Sequence, residues 1–415
     1  MLNRDFYTSI IKNYYGNSLI KVLVGMRGSG KTTIFFQLME DLKNDDMADE
    51  SHIIYINYEY LENEKLKYSD KLLSYIKKKI VDENRYYIFL DEIHNIPNFE
   101  QVLYDVFNKY INVELFVSCS NTRCLRKNLN SSLSYCYKIF YLTPFSYTET
   151  CNFLKTDPKN KNMLLNYLKY GGLPARLQCK KSSEVKKYLY TLLDSIYLKD
   201  IVIHLGVSDI SNIITILKYV IKYIGTAFSL EQIKEDLIKN NEEITDEKLY
   251  TDFECLQNAL IIEGANTYNV QTDTICYGVP RYYLSDLGIA FIYGLDIPNN
   301  MDALIKNMLW IELKRRGYDV YTGLNCGKHF DFVAIRNGKY MYFQAVYELF
   351  DGNTINKEIE KMGNFDFNGQ RYLISLDRDN FSRKGVIHKN LIDFILEEDS
   401  DKPNKDELST WVAVE

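Results

Sequence analysis

The run Gly25-Met26-Arg27-Gly28-Ser29-Gly30-Lys31-Thr32 satisfies the spacing G-x-x-x-x-G-K-[ST] in full. It follows the apolar run Leu19–Val24 and opens the amphipathic stretch Thr32–Leu42, the strand-loop-helix setting such a loop requires. Glycines let backbone N–H groups turn inward around a β-phosphate, and a helix starting near Thr32 adds the positive end of its dipole. Lys31 would neutralise β- and γ-oxygens, and the Thr32 hydroxyl would sit on Mg2+. Gly25, Met26, Arg27, Gly28, Ser29, Gly30, Lys31, Thr32 and Thr33 are therefore the candidate nucleotide-binding residues. Further along, Tyr86-Tyr-Ile-Phe-Leu-Asp91-Glu92 is an apolar strand that ends in two carboxylates. Beside a phosphate loop, Asp91 is the second Mg2+ candidate, and Glu92 is the candidate to orient and polarise an attacking water. Alone, such a pair is a weak signal, since many simply cap the next turn. The strand Leu115–Cys119 leads into Ser120 and Asn121. If it inserts between the other two strands, these groups face a γ-phosphate and act as catalytic reporters; otherwise they cap the following helix.

The elements that must position these groups are legible as alternating patterns. Short apolar runs at Leu19–Val24, His52–Tyr58, Tyr86–Leu90, Val113–Cys119 and Lys138–Leu142 alternate with amphipathic runs at Thr32–Leu42, Lys71–Val81 and Phe99–Tyr110. This predicts an α/β class with a parallel sheet covered on both faces. From Phe145 to Ile297 the period becomes helical, with a break at Tyr170-Gly-Gly-Leu-Pro174 and long runs at Val185–Ile203 and Ile210–Ile224. Within it, Ser229–Lys239, Asp246–Ile262, Thr274–Gly278 and Arg281–Leu284 suggest helix, helix and a two-stranded wing. A second α/β module comes next: helix Met301–Arg316, strands Tyr318–Thr322, Phe330–Ile335 and Tyr340–Val346, helix Thr354–Met362, strand Arg371–Ser375 and helix Lys389–Leu396. The expected organisation is a nucleotide domain over 1–150, a helical lid with winged-helix region over 151–297, the module over 298–398 and an acidic polar tail over 399–415.

Composition excludes several classes. Fifty Lys plus Arg against 56 Asp plus Glu leave a net charge of −6, which argues against nonspecific coating of nucleic acid or anionic membrane. The stretch from Ser229 to Leu256, with Glu231, Glu235, Asp236, Glu242, Glu243, Asp246, Glu247, Asp252 and Glu254, would repel phosphates. Nucleic-acid binding is expected to be weak there. Eight cysteines without CxxC and five scattered histidines lack zinc-ligand spacing. The longest apolar stretches, such as Leu287–Leu295, reach about half of a bilayer span, so no membrane association is expected. The N-terminal sequence lacks the apolar core of a signal peptide, which places the protein in the cytosol as an expectation.

Together, GMRGSGKT, FLDEIHNIP, LFVSCSN, Pro144-Phe-Ser, Tyr170-GGLP, Ile196-Tyr-Leu-Lys-Asp-Ile201, ELKRRGYDV and FDFVAI resemble the prokaryotic AAA+-type ATPases that join a P-loop domain to a winged helix and a C-terminal PD-(D/E)XK nuclease-like domain. The resemblance runs from about Arg4 to Leu396. It implies a Mg2+-dependent ATP-binding protein and ATPase, with ATP and Mg2+ as cofactors and a protein partner left open. It also implies a terminal nuclease-type site at Glu312, Asp331, Gln344 and Val346. Two features depart from the group. Tyr135 and Cys136 stand where a Gly-Arg pair supplies an arginine finger, which makes turnover slow unless Arg123 or Arg126 substitutes. Val346 stands where the nuclease needs a lysine, which makes the terminal site degenerate. The expected role is a slow ATPase relaying nucleotide state to an inactive nuclease-like domain. The rivals are an ATP-gated nuclease or DNA-processing effector and a nucleotide-sensing switch without turnover.

Overall fold

The computed structural model describes residues 3–125, 136–203, 210–239, 244–349, 351–363 and 368–397. It divides into two compact units that meet in sequence between Leu142 and Thr143. Arg126, Tyr135, Glu242, Glu243 and the tail over 399–415 lie outside the described residues, as does the side chain of Arg123.

The first unit contains α1 (Asp5–Lys12), β1 (Ile20–Val24), α2 (Lys31–Asn44), β2 (Ile53–Asn57), α3 (Ser69–Lys79), β3 (Tyr86–Asp91), α4 (Phe99–Lys109), β4 (Val113–Cys119) and β5 (Tyr137–Tyr141). The sheet order is β2-β3-β4-β1-β5 and every pairing is parallel. β1 and β3 are buried at every position, which is why their sequences read as continuous apolar runs without alternation. On one face, Tyr7 and Ile11 of α1 and Ile34, Phe35, Leu38 and Leu42 of α2 pack in a cluster with Leu23, Phe89 and Phe116. The Phe89 and Phe116 rings stack at 4.5 Å. Each such fully buried side chain contributes roughly 1.5–3 kcal/mol. Lys21 of β1 is also buried, and its ammonium reaches Glu114 Oε1 of β4 at 2.6 Å. Glu114 further accepts the Gly16 backbone N–H, so the buried pair is hydrogen-bonded on more than one side.

The second unit begins with helices: α5 (Tyr147–Leu154), α6 (Lys161–Tyr170), α7 (Ser182–Ile196), α8 (Ser211–Lys222), α9 (Leu230–Lys239) and α10 (Asp246–Asn258). Then come β6 (Ile262–Asn269), β7 (Thr274–Leu284), α11 (Gly288–Ile292), α12 (Met301–Arg315), β8 (Asp319–Asn325), β9 (Lys328–Arg336), β10 (Lys339–Ala345), α13 (Gly352–Met362), β11 (Gly369–Ser375), β12 (Val386–Asn390) and α14 (Leu391–Leu396). One mixed sheet holds all seven strands, in the order β12-β11-β10-β9-β8-β6-β7.

The hairpin differs from its sequence reading. Instead of a wing between Thr274–Gly278 and Arg281–Leu284, β7 is one strand across both and pairs antiparallel with β6. Leu260 at φ 54° ends the helical stretch early, and the apolar run Leu260-Ile261-Ile262 fits a helix end or a strand start equally well. Pro280 is tolerated because β7 is the sheet's outer strand among the described residues. The hairpin is also tied to the terminal module. β6 pairs with β8, and buried Asn307 of α12 donates to the Leu284 carbonyl at 2.8 Å and accepts the Leu284 N–H at 2.7 Å. Tyr283 stacks on Trp310 at 4.7 Å.

The Tyr170-Gly-Gly-Leu-Pro174 break has a direct physical account. Asp286 Oδ2 accepts Gly172 N–H at 2.7 Å, and its Oδ1 accepts Gly288 N–H at 2.8 Å. Gly171 has φ 71°, and a Cβ there would stand 1.9 Å from Asp286 Oδ1; a Cβ on Gly172 would stand 1.9 Å from the Phe145 carbonyl. Arg176 Nε closes the turn on the Gly171 carbonyl at 2.9 Å. Burial raises the Asp286 carboxyl to about 6, against the pull of these N–H groups and Arg176. A carboxyl raised from 3.8 adds stability that is complete below its unfolded value and is lost as pH rises through 6. Between pH 4 and pH 7 that loss is up to roughly 3 kcal/mol. Asp286→Asn should flatten the decline by about that amount, as read by denaturant unfolding followed through Trp310 at the two pH values.

Candidate nucleotide site

The candidate loop runs from the end of β1 to the start of α2, so its backbone is fixed at the C-terminal end of an inner strand of the parallel sheet. Gly25 is required by close approach: a Cβ would stand 2.2 Å from the Leu142 carbonyl, where Leu142 N–H bonds Val24 O at 2.7 Å. Gly28 and Gly30 adopt φ 83° and 104°. Met26, Arg27 and Ser29 are buried between them, with Arg27 paired to Glu59 at 2.5 Å. From outside the motif, buried Arg4 donates from Nη1 to the Ser29 carbonyl at 3.1 Å. Lys31 is the first residue of α2 and folds back over the loop, with Nζ 2.9 Å from the Gly25 carbonyl and 3.2 Å from Glu92 Oε1. Thr32 and Thr33 lie on the first turn of the helix.

Asp91 ends β3 and is fully buried. Its carboxylate accepts the Thr32 hydroxyl at 2.6 Å, the Tyr55 hydroxyl at 2.9 Å, the Asn57 side-chain amide at 3.2 Å and the Ser118 hydroxyl. Burial and then the neighbouring Glu92 charge push its carboxyl up. Glu92 has φ 57°, which turns its side chain away from the strand direction and toward Lys31. His94 Nδ1 lies 3.4 Å from the other Glu92 oxygen, and Glu92 N–H donates to Ser118 Oγ at 2.9 Å.

β4 lies between β1 and β3, the condition under which Ser120 and Asn121 are expected at the site. Both are buried just beyond its end, and the Cys119 carbonyl there accepts Gly25 N–H at 3.3 Å. The chain then enters only a short 3-10 turn, Thr122–Leu125. Three contributors escape a reading of the sequence. Tyr55 and Asn57 arrive because register pairs Asn57 with Asp91, and Ser118 arrives because β4 is the neighbouring strand. A polar residue near the end of each apolar strand was the available signal.

The residues fit Mg2+ and a nucleotide. The Thr32 hydroxyl and the Asp91 carboxylate form an all-oxygen pair of the kind that holds Mg2+ with phosphate and water ligands, and Lys31 supplies the cation beside them. Among the described residues no group of three or more His, Cys, Asp and Glu side chains could hold a metal without such help.

The second predicted site does not assemble as expected. Asp331 and Gln344 do meet: Gln344 Oε1 accepts Asp331 N–H at 3.2 Å, and Gln344 Nε2 donates to Glu358 at 2.8 Å. Glu312 is instead held by its own helix turn, with Arg315 at 2.7 Å and Arg316 at 2.6 Å. Burial would raise the Glu312 carboxyl, but the two guanidiniums hold it below its ordinary value. The group nearest Asp331 is a cation that the sequence does not announce. Lys306 of α12 lies 2.8 Å from its Oδ1, and Arg281 of β7 lies 3.7 Å away. Val346 is buried in the apolar cluster with Val333, Leu349 and Leu373.

Comparison with known proteins agrees with the first unit. Residues 17–151 match a family model described as an AAA domain. Over that segment the chain is similar to AAA domains. Residues 161–298 match a second model, described as a domain of unknown function (DUF8612). An uncharacterized protein of Haemophilus influenzae is 24% identical over 354 residues, covering 84% of this chain and 88% of that one. An uncharacterized protein of Methanocaldococcus jannaschii is 28% identical over 376 residues, covering 87% and 80%. Among solved structures, the Walker-type ATPase PABY2304 of Pyrococcus abyssi is similar at 12% identity and a TM-score of 0.47, covering 71% of this chain and 96% of that one. The ORC2 protein of Aeropyrum pernix is similar at 12% identity and a TM-score of 0.42, covering 73% and 92%.

Removing one side of the Asp331 pair should be costly. Asp331→Ala leaves Lys306 and Arg281 facing each other without a carboxylate, and is expected to destabilise the second unit by about 3–5 kcal/mol in denaturant unfolding.

Proposed function

We propose that this chain is a Mg2+-dependent ATP-binding protein with slow ATPase activity, whose nucleotide state is relayed to a nuclease-like domain that has lost its chemistry. The observation that carries the reading is the pairing of Thr32 with Asp91 at 2.6 Å beside Lys31 and Glu92 at 3.2 Å. Lys31 and the loop N–H groups would bind the phosphates, while Thr32 and Asp91 would hold Mg2+, which when bound supplies charge neutralisation at the β- and γ-oxygens. Glu92 would orient the water, with its backbone set by Ser118. Because Lys31 and His94 both lie at the Glu92 carboxylate, that group must exchange partners to reach a water, which fits slow turnover.

The terminal reading is supported by the order helix α12, strands β8–β10, helix α13 and strand β11, and by the meeting of Asp331 with Gln344. The order α8, α9, α10 and the β6–β7 hairpin supports the winged-helix region. The Lys306 ammonium on Asp331, together with apolar Val346, argues for a degenerate site over the ATP-gated nuclease. No helix of the described residues is long and apolar enough to cross a membrane.

Lys31→Ala should lower ATP affinity at least about tenfold, or roughly 1.4 kcal/mol, by calorimetry. Unchanged affinity would remove the basis of the reading. Glu92→Gln should retain ATP binding and lose turnover, measured as phosphate release; hydrolysis at the wild-type rate would assign the water to another group.

A further inference from the structure

The ion pair between Arg27 and Glu59 joins two elements that are not neighbours in the sheet. Arg27 stands in the loop that follows β1, and Glu59 lies two residues past the end of β2. β4 and β3 lie between those strands, so three spacings of about 4.8 Å, roughly 14 Å in all, separate them. All four strands run parallel, and their C-terminal ends lie side by side. The 2.5 Å contact between Arg27 Nη1 and Glu59 Oε1 is therefore made over the ends of β4 and β3. Those are the ends that carry Asp91, Glu92, Ser120 and Asn121, and Thr32 reaches Asp91 there. Glu59 is fixed from the same side: its N–H donates to Asn57 Oδ1 at 2.8 Å, and the Asn57 amide donates to Asp91 at 3.2 Å.

The cations around the loop have different tasks. Arg4 donates to the Ser29 carbonyl, and Lys31 lies on the Gly25 carbonyl beside Glu92. Arg27 is held instead by a carboxylate whose side chain is 24% exposed, at the open rim of the site, where changing partner costs less than in a fully buried pair. We propose that Arg27 reads the γ-phosphate: with ATP bound its guanidinium leaves Glu59 for the γ-oxygens, and with ADP it stays on Glu59. This rests on the nucleotide reading above and names the residue by which that site tells the two nucleotides apart. A guanidinium fork matches two phosphate oxygens, and a terminal phosphate carries more charge than a carboxylate, so the exchange is favourable once ATP is in place. Glu59 weakens ATP binding in proportion to the fraction of chains in which it holds the guanidinium. In hydrolysis the water oxygen bonds to the γ-phosphorus while the bond to the β,γ-bridging oxygen breaks. ADP leaves with that electron pair, one water proton stays on the phosphate product and the other passes to solvent. Arg27 exchanges no proton and neutralises charge on the γ-oxygens, the task of an arginine finger supplied from the same chain. Cys136 stands where the resemblance expects that arginine.

Calorimetry on the full chain with Mg2+ and either ADP or the non-hydrolysable imido analogue of ATP tests this. Arg27→Ala should weaken the ATP analogue at least about tenfold and leave ADP within about twofold. Glu59→Gln, which frees the guanidinium, should tighten the analogue roughly threefold and again spare ADP. The double variant of Arg27→Ala with Glu59→Gln should keep the loss; its recovery would assign the loss to the Glu59 charge and overturn the proposal. Arg27→Lys should keep most of the affinity for the analogue yet release phosphate from ATP at least about tenfold more slowly, because an ammonium lacks the fork. If the analogue and ADP weaken together in Arg27→Ala, Arg27 supports the loop backbone and the proposal is overturned, as it is if the preference between the two nucleotides stays unchanged in that variant. An unsubstituted chain that binds neither nucleotide would instead overturn the nucleotide reading, and this inference with it.

Discussion

A carboxylate with four donors on it holds the first unit of this molecule in register. Asp91 sits at the end of a wholly buried strand and collects Thr32 from α2, Tyr55 and Asn57 from β2, and Ser118 from β4. Those elements come from separate parts of the chain, so this one group fixes the loop helix, the outer strand and the inserted strand with respect to each other. In a low-dielectric interior an unpaired carboxylate would be intolerable, and the donors are what make its burial feasible. Burial and the Glu92 charge push its carboxyl up, and the Ser118 and Thr32 hydroxyls and the Lys31 ammonium pull against them. The structural constraint and the proposed metal chemistry therefore share their atoms.

The second unit uses buried carboxylates differently. Asp286 clamps a glycine turn by accepting two backbone N–H groups, and the turn residues are glycines because the carboxylate and the Phe145 carbonyl occupy the space where Cβ atoms would stand. Asp331 instead holds Lys306 and lies near Arg281, which joins α12 and β7 to the central strand β9. An ammonium at this carboxylate is a fixed cation contributed by the fold itself. Once it is there, Val346 can pack in the apolar cluster without a counter-charge. The pair ties α12 and β7 to the middle of the mixed sheet.

Periodicity served well where an element had a single reading. The strand Val113–Cys119 and the start of α4 at Phe99 fall where the apolar runs put them. It served poorly where two periods fitted the same residues, as at Leu260-Ile261-Ile262, where the left-handed backbone of Leu260 ended the helical stretch and a strand began. β12 also escaped the pattern. Its residues Val386–Asn390 are short and mixed in polarity, and they become a strand through pairing with β11, while Asn390 caps the next helix.

Local chemistry was determined by the sequence itself. A glycine-rich loop ending in Lys31-Thr32, and an apolar strand ending in Asp91-Glu92, can be read without a fold because positive φ, helix N-termini and strand ends are properties of neighbouring residues. What depends on pairing between distant segments was decided only in three dimensions. Ser118, Tyr55 and Asn57 join Asp91 through strand order and register, while Glu312 is drawn to Arg315 and Arg316 in its own helix turn. Lys306 reaches Asp331 because α12 packs across the sheet that β9 occupies. A buried charge takes whichever partner the packing brings within reach, and no spacing along the chain encodes that choice.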